Sequence, residues 1–172
     1  MKGLTIIEVL ISVLIFSIIA IGLGSAVVAG KSALFVSDAP TQLRQNVLFG
    51  MMPMIRGLRQ TAPGKINLSE GSSGESITFK VPQDLDADGD VVDDVGYIEW
   101  GGDITYARDG LNQLTRTSGG VTSVVAPNIS NLQFSRPVAD DAIIQIDITA
   151  QKTDNQGDVY QDAEQAIIKM RN

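Results

Sequence analysis

Two residue types are missing from this 172-residue chain: it has no cysteine and no histidine. Their absence excludes disulfide frameworks, Cys/His zinc sites, cysteine nucleophiles, and every catalytic triad or proton shuttle built on imidazole. It does not fix a compartment, because bacterial envelope proteins also do without disulfides. Basic residues are the minority sign: 13 Lys plus Arg stand against 20 Asp plus Glu, a net charge of −7. Nucleic-acid phosphates reward clustered Lys and Arg, so direct nucleic-acid binding is not expected. Charged residues are sparse at 19%, and hydrophobic residues reach 44%, enough for a packed core. Carboxylate and lysine chemistry stay open in principle, but no pair of residues marks a catalytic centre. The chain does not read as an enzyme.

What the sequence does have is one long apolar run near its start. From Val9 to Gly30 no charged residue occurs, and a membrane-spanning helix needs roughly 20 such residues. A secretory signal peptide carries a shorter apolar stretch, about 7–15 residues. A plain signal anchor accounts for everything here except Glu8. A carboxylate in an apolar helix costs about 2.5–3.5 kcal/mol near a bilayer centre and less near its edge, so it calls for a partner. An α-amino group at Leu4 would lie four residues before Glu8, on the same helical face. It could pair with Glu8 of its own chain or of a neighbour.

The run Met1-Lys2-Gly3-Leu4-Thr5-Ile6-Ile7-Glu8-Val9 resembles the type IV prepilin leader and its cleavage and methylation motif. In that family a short basic leader ends in Gly, followed by Phe-Thr-Leu-Ile-Glu or a close variant. Leu4 and Ile6 replace the usual Phe and Leu and keep the apolar character. The resemblance implies cleavage after Gly3 by a prepilin peptidase, N-methylation of Leu4, and a role for Glu8 in registering subunits during filament assembly. Looser similarity continues downstream, to PilW-like minor pilins and J-type pseudopilins of type II secretion. It lies in the basic run Met54–Thr61, in Ile77-Thr78-Phe79 with the acidic segment after it, and in Asn128–Phe134. Major pilins often close a carboxy-terminal loop with a disulfide, so a chain without cysteine fits a minor component better.

The fold class that follows is α+β, a long amino-terminal helical spine packed on an antiparallel sheet domain. Residues 1–3 form the leader, 4–30 the transmembrane and filament-core helix, 31–61 its amphipathic continuation, and 62–172 the β-rich domain. In the second segment Leu43, Val47, Met51, Ile55 and Leu58 recur at helical spacing. Pro40 and Pro53 predict kinks or short breaks, and Asp38 is a candidate cap for a second helix. Residues 62–75, rich in Gly, Ser and Pro, read as a loop. Period-two alternation then predicts strands at Ile77–Val81 and Ile144–Ile148, and further short strands are expected at Gly96–Trp100, Ile104–Arg108, Gln113–Thr117, Val121–Ala126, Ile129–Arg136 and Ala166–Met170. Turns are expected at Gly101-Gly102, Asp109-Gly110 and Gly119-Gly120.

One loop carries metal-binding spacing. Asp84 to Asp94 holds six Asp and no Lys or Arg. Asp84, Asp86, Asp88 and Asp90 alternate, with Gly89 sixth, as in the first half of an EF-hand calcium loop. The twelfth position is Val95, where a bidentate Glu is expected, leaving Asp93 or Asp94 to close the shell. A solvated turn accounts for the same residues. Gly30-Lys31-Ser32 ends like a phosphate-binding loop, but the required earlier glycine is Ser25, and the segment follows no strand.

The expected function is therefore a minor pilin or pseudopilin, held in the bacterial inner membrane with its carboxy-terminal domain in the periplasm. Its partners would be other pilin or pseudopilin subunits, met through the amino-terminal helix, and it would end in a pilus or pseudopilus. Calcium is the one cofactor suggested. A type II secretion pseudopilin and a membrane-anchored, calcium-dependent adhesin are the alternatives.

Overall fold

The structure is a computed structural model that describes residues 6–138, 140, 142–154 and 157–171, with backbone alone at 32–37. It is an α+β architecture: one helix, α1 (Ile6–Gln60), followed by two antiparallel four-stranded sheets. The chain divides into two compact units, residues 1–39 and 40–172.

In the first unit α1 is continuous and apolar, with Glu8 in its first turn. The expected breaks do not occur. The helix runs through both Pro40 and Pro53, and Asp38 lies inside it rather than at its cap. Each proline removes only one backbone hydrogen bond, and the turns on either side keep theirs. The break signalled at Pro40 coincides instead with the boundary between the units.

In the second unit the helix buries Leu43, Val47, Met51, Met54 and Leu58. The buried stripe passes through Met54, and Ile55 is only partly buried against the same core. Two glycines let the helix lie close to the sheets. A Cβ at Gly50 would come within 2.8 Å of Leu114 Cδ2, and one at Gly57 within 2.7 Å of Phe79 Cε2. They are two helical turns apart and therefore share a face.

The helix ends as Thr61 donates its N–H to the Gly57 carbonyl, followed by a 3-10 turn at Pro63–Lys65. The first sheet has the order β2 (Ser76–Phe79), β3 (Ile104–Arg108), β4 (Leu114–Ser118) and β5 (Val121–Ala126). The second has the order β1 (Ser73–Gly74), β6 (Ile129–Ser135), β7 (Ile143–Thr153) and β8 (Val159–Lys169). Phe79 and Tyr106 stack in the core, ring centroids 6.0 Å apart. Around them lie Leu114, Leu132, Phe134, Ile144, Ile146 and Ile148, all buried. Gly119 and Gly120 both take positive φ between β4 and β5, the conformation of a two-residue type I′ hairpin.

Four strand expectations need correction, the first at β7, which runs on to Thr153 rather than ending at Ile148. β8 is eleven residues long rather than five and pairs with β7 along its whole length. Its first half carries Gln161, Asp162 and Glu164, so an edge strand with polar residues on both faces shows no apolar alternation. Gly96–Trp100 makes only isolated bridges, Val92 to Ile98 and Pro82 to Trp100. β1 lies in the segment read as loop, too short to carry a pattern. The Gly101-Gly102 pair is not a hairpin turn. β2 and β3 are joined by the long excursion Lys80–Asp103, and Gly101 donates its N–H back to the Val81 carbonyl.

Candidate functional site

Two features stand apart from the packed core. The first is the stretch Ile6–Lys31, the one helix among the described residues long and apolar enough to cross a membrane. Its large side chains, including Ile11, Leu14, Ile18 and Ile21, are all exposed. Its hydroxyls are satisfied within the helix. Ser12 donates to the Glu8 carbonyl at 2.8 Å, Ser17 to Val13 at 2.8 Å, and Ser25 to Ile21 at 2.7 Å. Bonding of this kind lets a serine enter an apolar medium without an unpaired donor. Gly3 and Leu4, the expected processing residues, lie outside the described residues. Glu8 is described and exposed, in the first turn of the apolar stretch.

The second feature is the acidic excursion. Its two arms form a ladder: Gln83 donates to the Glu99 carbonyl, Glu99 to Val91, and Asp93 to Tyr97. Within it the aspartates bond to nearby backbone amides. Asp84 accepts from Ala87 at 2.6 Å and Gly89 at 3.0 Å, Asp86 from Asp88 at 3.3 Å, and Asp88 from Asp90 at 2.9 Å. Asp90 accepts from Val92, and Asp93 from Val95 and Tyr97. These turns hold Ala87 and Gly89 at positive φ.

The ladder also brings in a residue that the spacing argument missed. Glu99 accepts the Leu85 N–H, and one carboxylate oxygen each from Asp84, Asp86 and Glu99 lies within 4.8 Å of the others. Neither Asp88 nor Asp90 belongs to this group. Glu99 is fifteen positions after Asp84, outside a twelve-residue loop, and only the pairing of the two arms places it there. Its signal in the sequence is an acid in the arm that returns opposite the start of the loop. A carboxylate oxygen that accepts one N–H keeps a lone pair for a cation, so three such groups fit a hard ion. Backbone carbonyls or water would have to complete its six to eight ligands.

Two of the three aromatic candidates are engaged within the fold. Tyr106 is core, Lys65 lies over the Trp100 ring at 5.5 Å from its centroid, and Tyr97 is exposed. Burial pushes the Tyr106 phenol above its ordinary range, opposed by the charge and hydrogen bond of Arg116. Comparison with family models, curated proteins and solved structures finds none that matches this chain.

Proposed function

We propose that this chain is a filament subunit of the type IV pilin class, a minor pilin or a type II secretion pseudopilin. The observation that carries the reading is the exposed apolar stretch Ile6–Lys31, with Glu8 near its start, ahead of a unit with its own core. At about 25 cal/mol per Å² of apolar surface, such a helix is unstable in water and needs lipid or other apolar helices around it. A pilin-class subunit uses both, lipid while it is stored and neighbouring helices after assembly. Glu8 then pairs with the ammonium of Leu4, on its own chain or a neighbour's, and the pairing offsets its cost in an apolar setting. Cleavage after Gly3 creates that ammonium. The role is structural, with no catalytic step.

A second reading, a membrane-anchored calcium-dependent binding module, is favoured by the convergence of Asp84, Asp86 and Glu99. Bound calcium would tie the start of the acidic excursion to its returning arm. The two readings separate on Glu8→Ala. In a filament subunit this change leaves membrane insertion intact and depletes the protein from sheared filaments. In an anchored module it changes neither property.

A further inference from the structure

The end of α1 gathers arginines from separate parts of an otherwise acidic chain. Arg56 and Arg59 come from its last turns. Arg116 comes from β4, where it sits opposite Tyr106 on β3. Arg171 arrives with the chain terminus, whose backbone N–H is donated to the Thr61 carbonyl at 2.9 Å. Adjoining grooves share these residues, one lined by Arg56 and Arg59 and another by Arg59 and Arg171. A third, of about 210 Å³, opens between the helix and β2–β4. It presents Arg56, Arg116 and Gln60 above a floor of Phe79, Val81 and Ile104.

Arginine at a helix carboxy-terminus complements the helix dipole, which accounts for Arg56 and Arg59. It does not account for Arg171, nor for Arg116, whose charge and hydrogen bond also serve the Tyr106 phenol. The two ion pairs formed among the described residues, Lys80 with Asp103 and Arg108 with Glu75, use none of the four. Like charges gathered on one surface repel each other until an anion joins them. The guanidinium fork matches a carboxylate through two parallel hydrogen bonds.

We propose that the groove between the end of α1 and β2–β4 binds an acidic peptide segment of another protein. A carboxylate side chain is held by Arg56 and Arg116, and a neighbouring apolar side chain rests on Val81 and Ile104. The apolar floor distinguishes this ligand from free phosphate, which gains nothing from it. The net charge of −7 disfavours a polyphosphate chain, whose charge is spread over many repeats. This contact stands apart from the filament reading, since it uses the second unit alone.

The test is fluorescence anisotropy on the full chain in non-ionic detergent, with a labelled Glu-Leu-Glu-Leu-Glu peptide as the probe. Binding should weaken from 50 to 500 mM salt and should vanish for the Gln-Leu-Gln-Leu-Gln peptide. Arg56→Gln, on an exposed position, should weaken it about tenfold, the scale of one charge-assisted hydrogen bond. Arg56→Gln with Arg116→Gln should abolish it, and Arg44→Gln, on an exposed position outside the groove, should leave it unchanged. Failure of the parent to bind, or retention of parent affinity by Arg56→Gln, would overturn the proposal. Displacement of the probe by inorganic phosphate as effectively as by unlabelled peptide would overturn the assignment to a peptide.

Discussion

Gly57 lies against the ring of Phe79, so near that a Cβ on it would come within 2.7 Å of Cε2 and 2.8 Å of Cζ. The helix therefore meets the first sheet at backbone distance, and the stacked Phe79–Tyr106 pair lies directly beneath it. Gly57→Ala should destabilise the second unit even though alanine is the better helix former. Overpacking costs about 1–3 kcal/mol, against a helix-propensity gain of about 1 kcal/mol. The expected net loss is up to about 2 kcal/mol by urea unfolding. Phe79→Leu in the same chain should recover part of that loss, and simple additivity of the two changes would show that ring contact is not the cause.

The pairing of Leu85 with Glu99 gives the acidic excursion a closed end. If Asp84, Asp86 and Glu99 hold calcium, the folded state gains about 2.7 kcal/mol at free calcium one hundredfold above the dissociation constant. Melting in calcium and in chelator measures this increment. Asp84→Asn with Glu99→Gln should remove it. Asp88→Asn with Asp90→Asn should leave most of it, because those two carboxylates lie outside the converging group. Loss of the increment in both pairs would restore the sequential loop, which needs Asp84 as well as Asp88 and Asp90. An absent increment in the parent would leave the excursion a solvated turn.

Tyr106 sets an alkaline limit. Burial raises its phenol above 10.0, against the opposing pull of Arg116. The unfolded chain therefore gives up this proton first. The contribution of Tyr106 is complete below the unfolded value and is lost as pH rises from there toward the folded one. Tyr106→Phe should flatten the fall in stability above pH 10.0 while leaving the neutral-pH slope unchanged. An identical alkaline fall in the variant would assign it to other groups.

Much of this molecule is legible in the sequence, and the misses have local causes. The apolar stretch is unmistakable because nothing charged interrupts Val9 to Gly30. β3 and β5 fall where short strands are expected, at Ile104–Arg108 and Val121–Ala126. The buried stripe runs through Met54 rather than Ile55, since adjacent apolar residues both satisfy a helical period. Proline was over-read as a helix breaker at Pro40 and Pro53. β8 was under-read because an edge strand does not need an apolar face along its full length. Glu99 was invisible to spacing, since its neighbours in space come from the other arm of a ladder. The arginine groove is invisible for the same reason: Arg56 and Arg116 line one groove only through tertiary packing.

The central claim is that this chain is processed and assembled as a pilin-class subunit, and the most direct test is the amino terminus of the native protein. Intact mass and amino-terminal sequencing, on protein recovered from the membranes and sheared filaments of its own cell, read it directly. The account predicts a chain that begins with N-methylated Leu4, shorter by Met1-Lys2-Gly3. A mature protein that keeps Met1-Lys2-Gly3, or one cut beyond the apolar stretch, would contradict it.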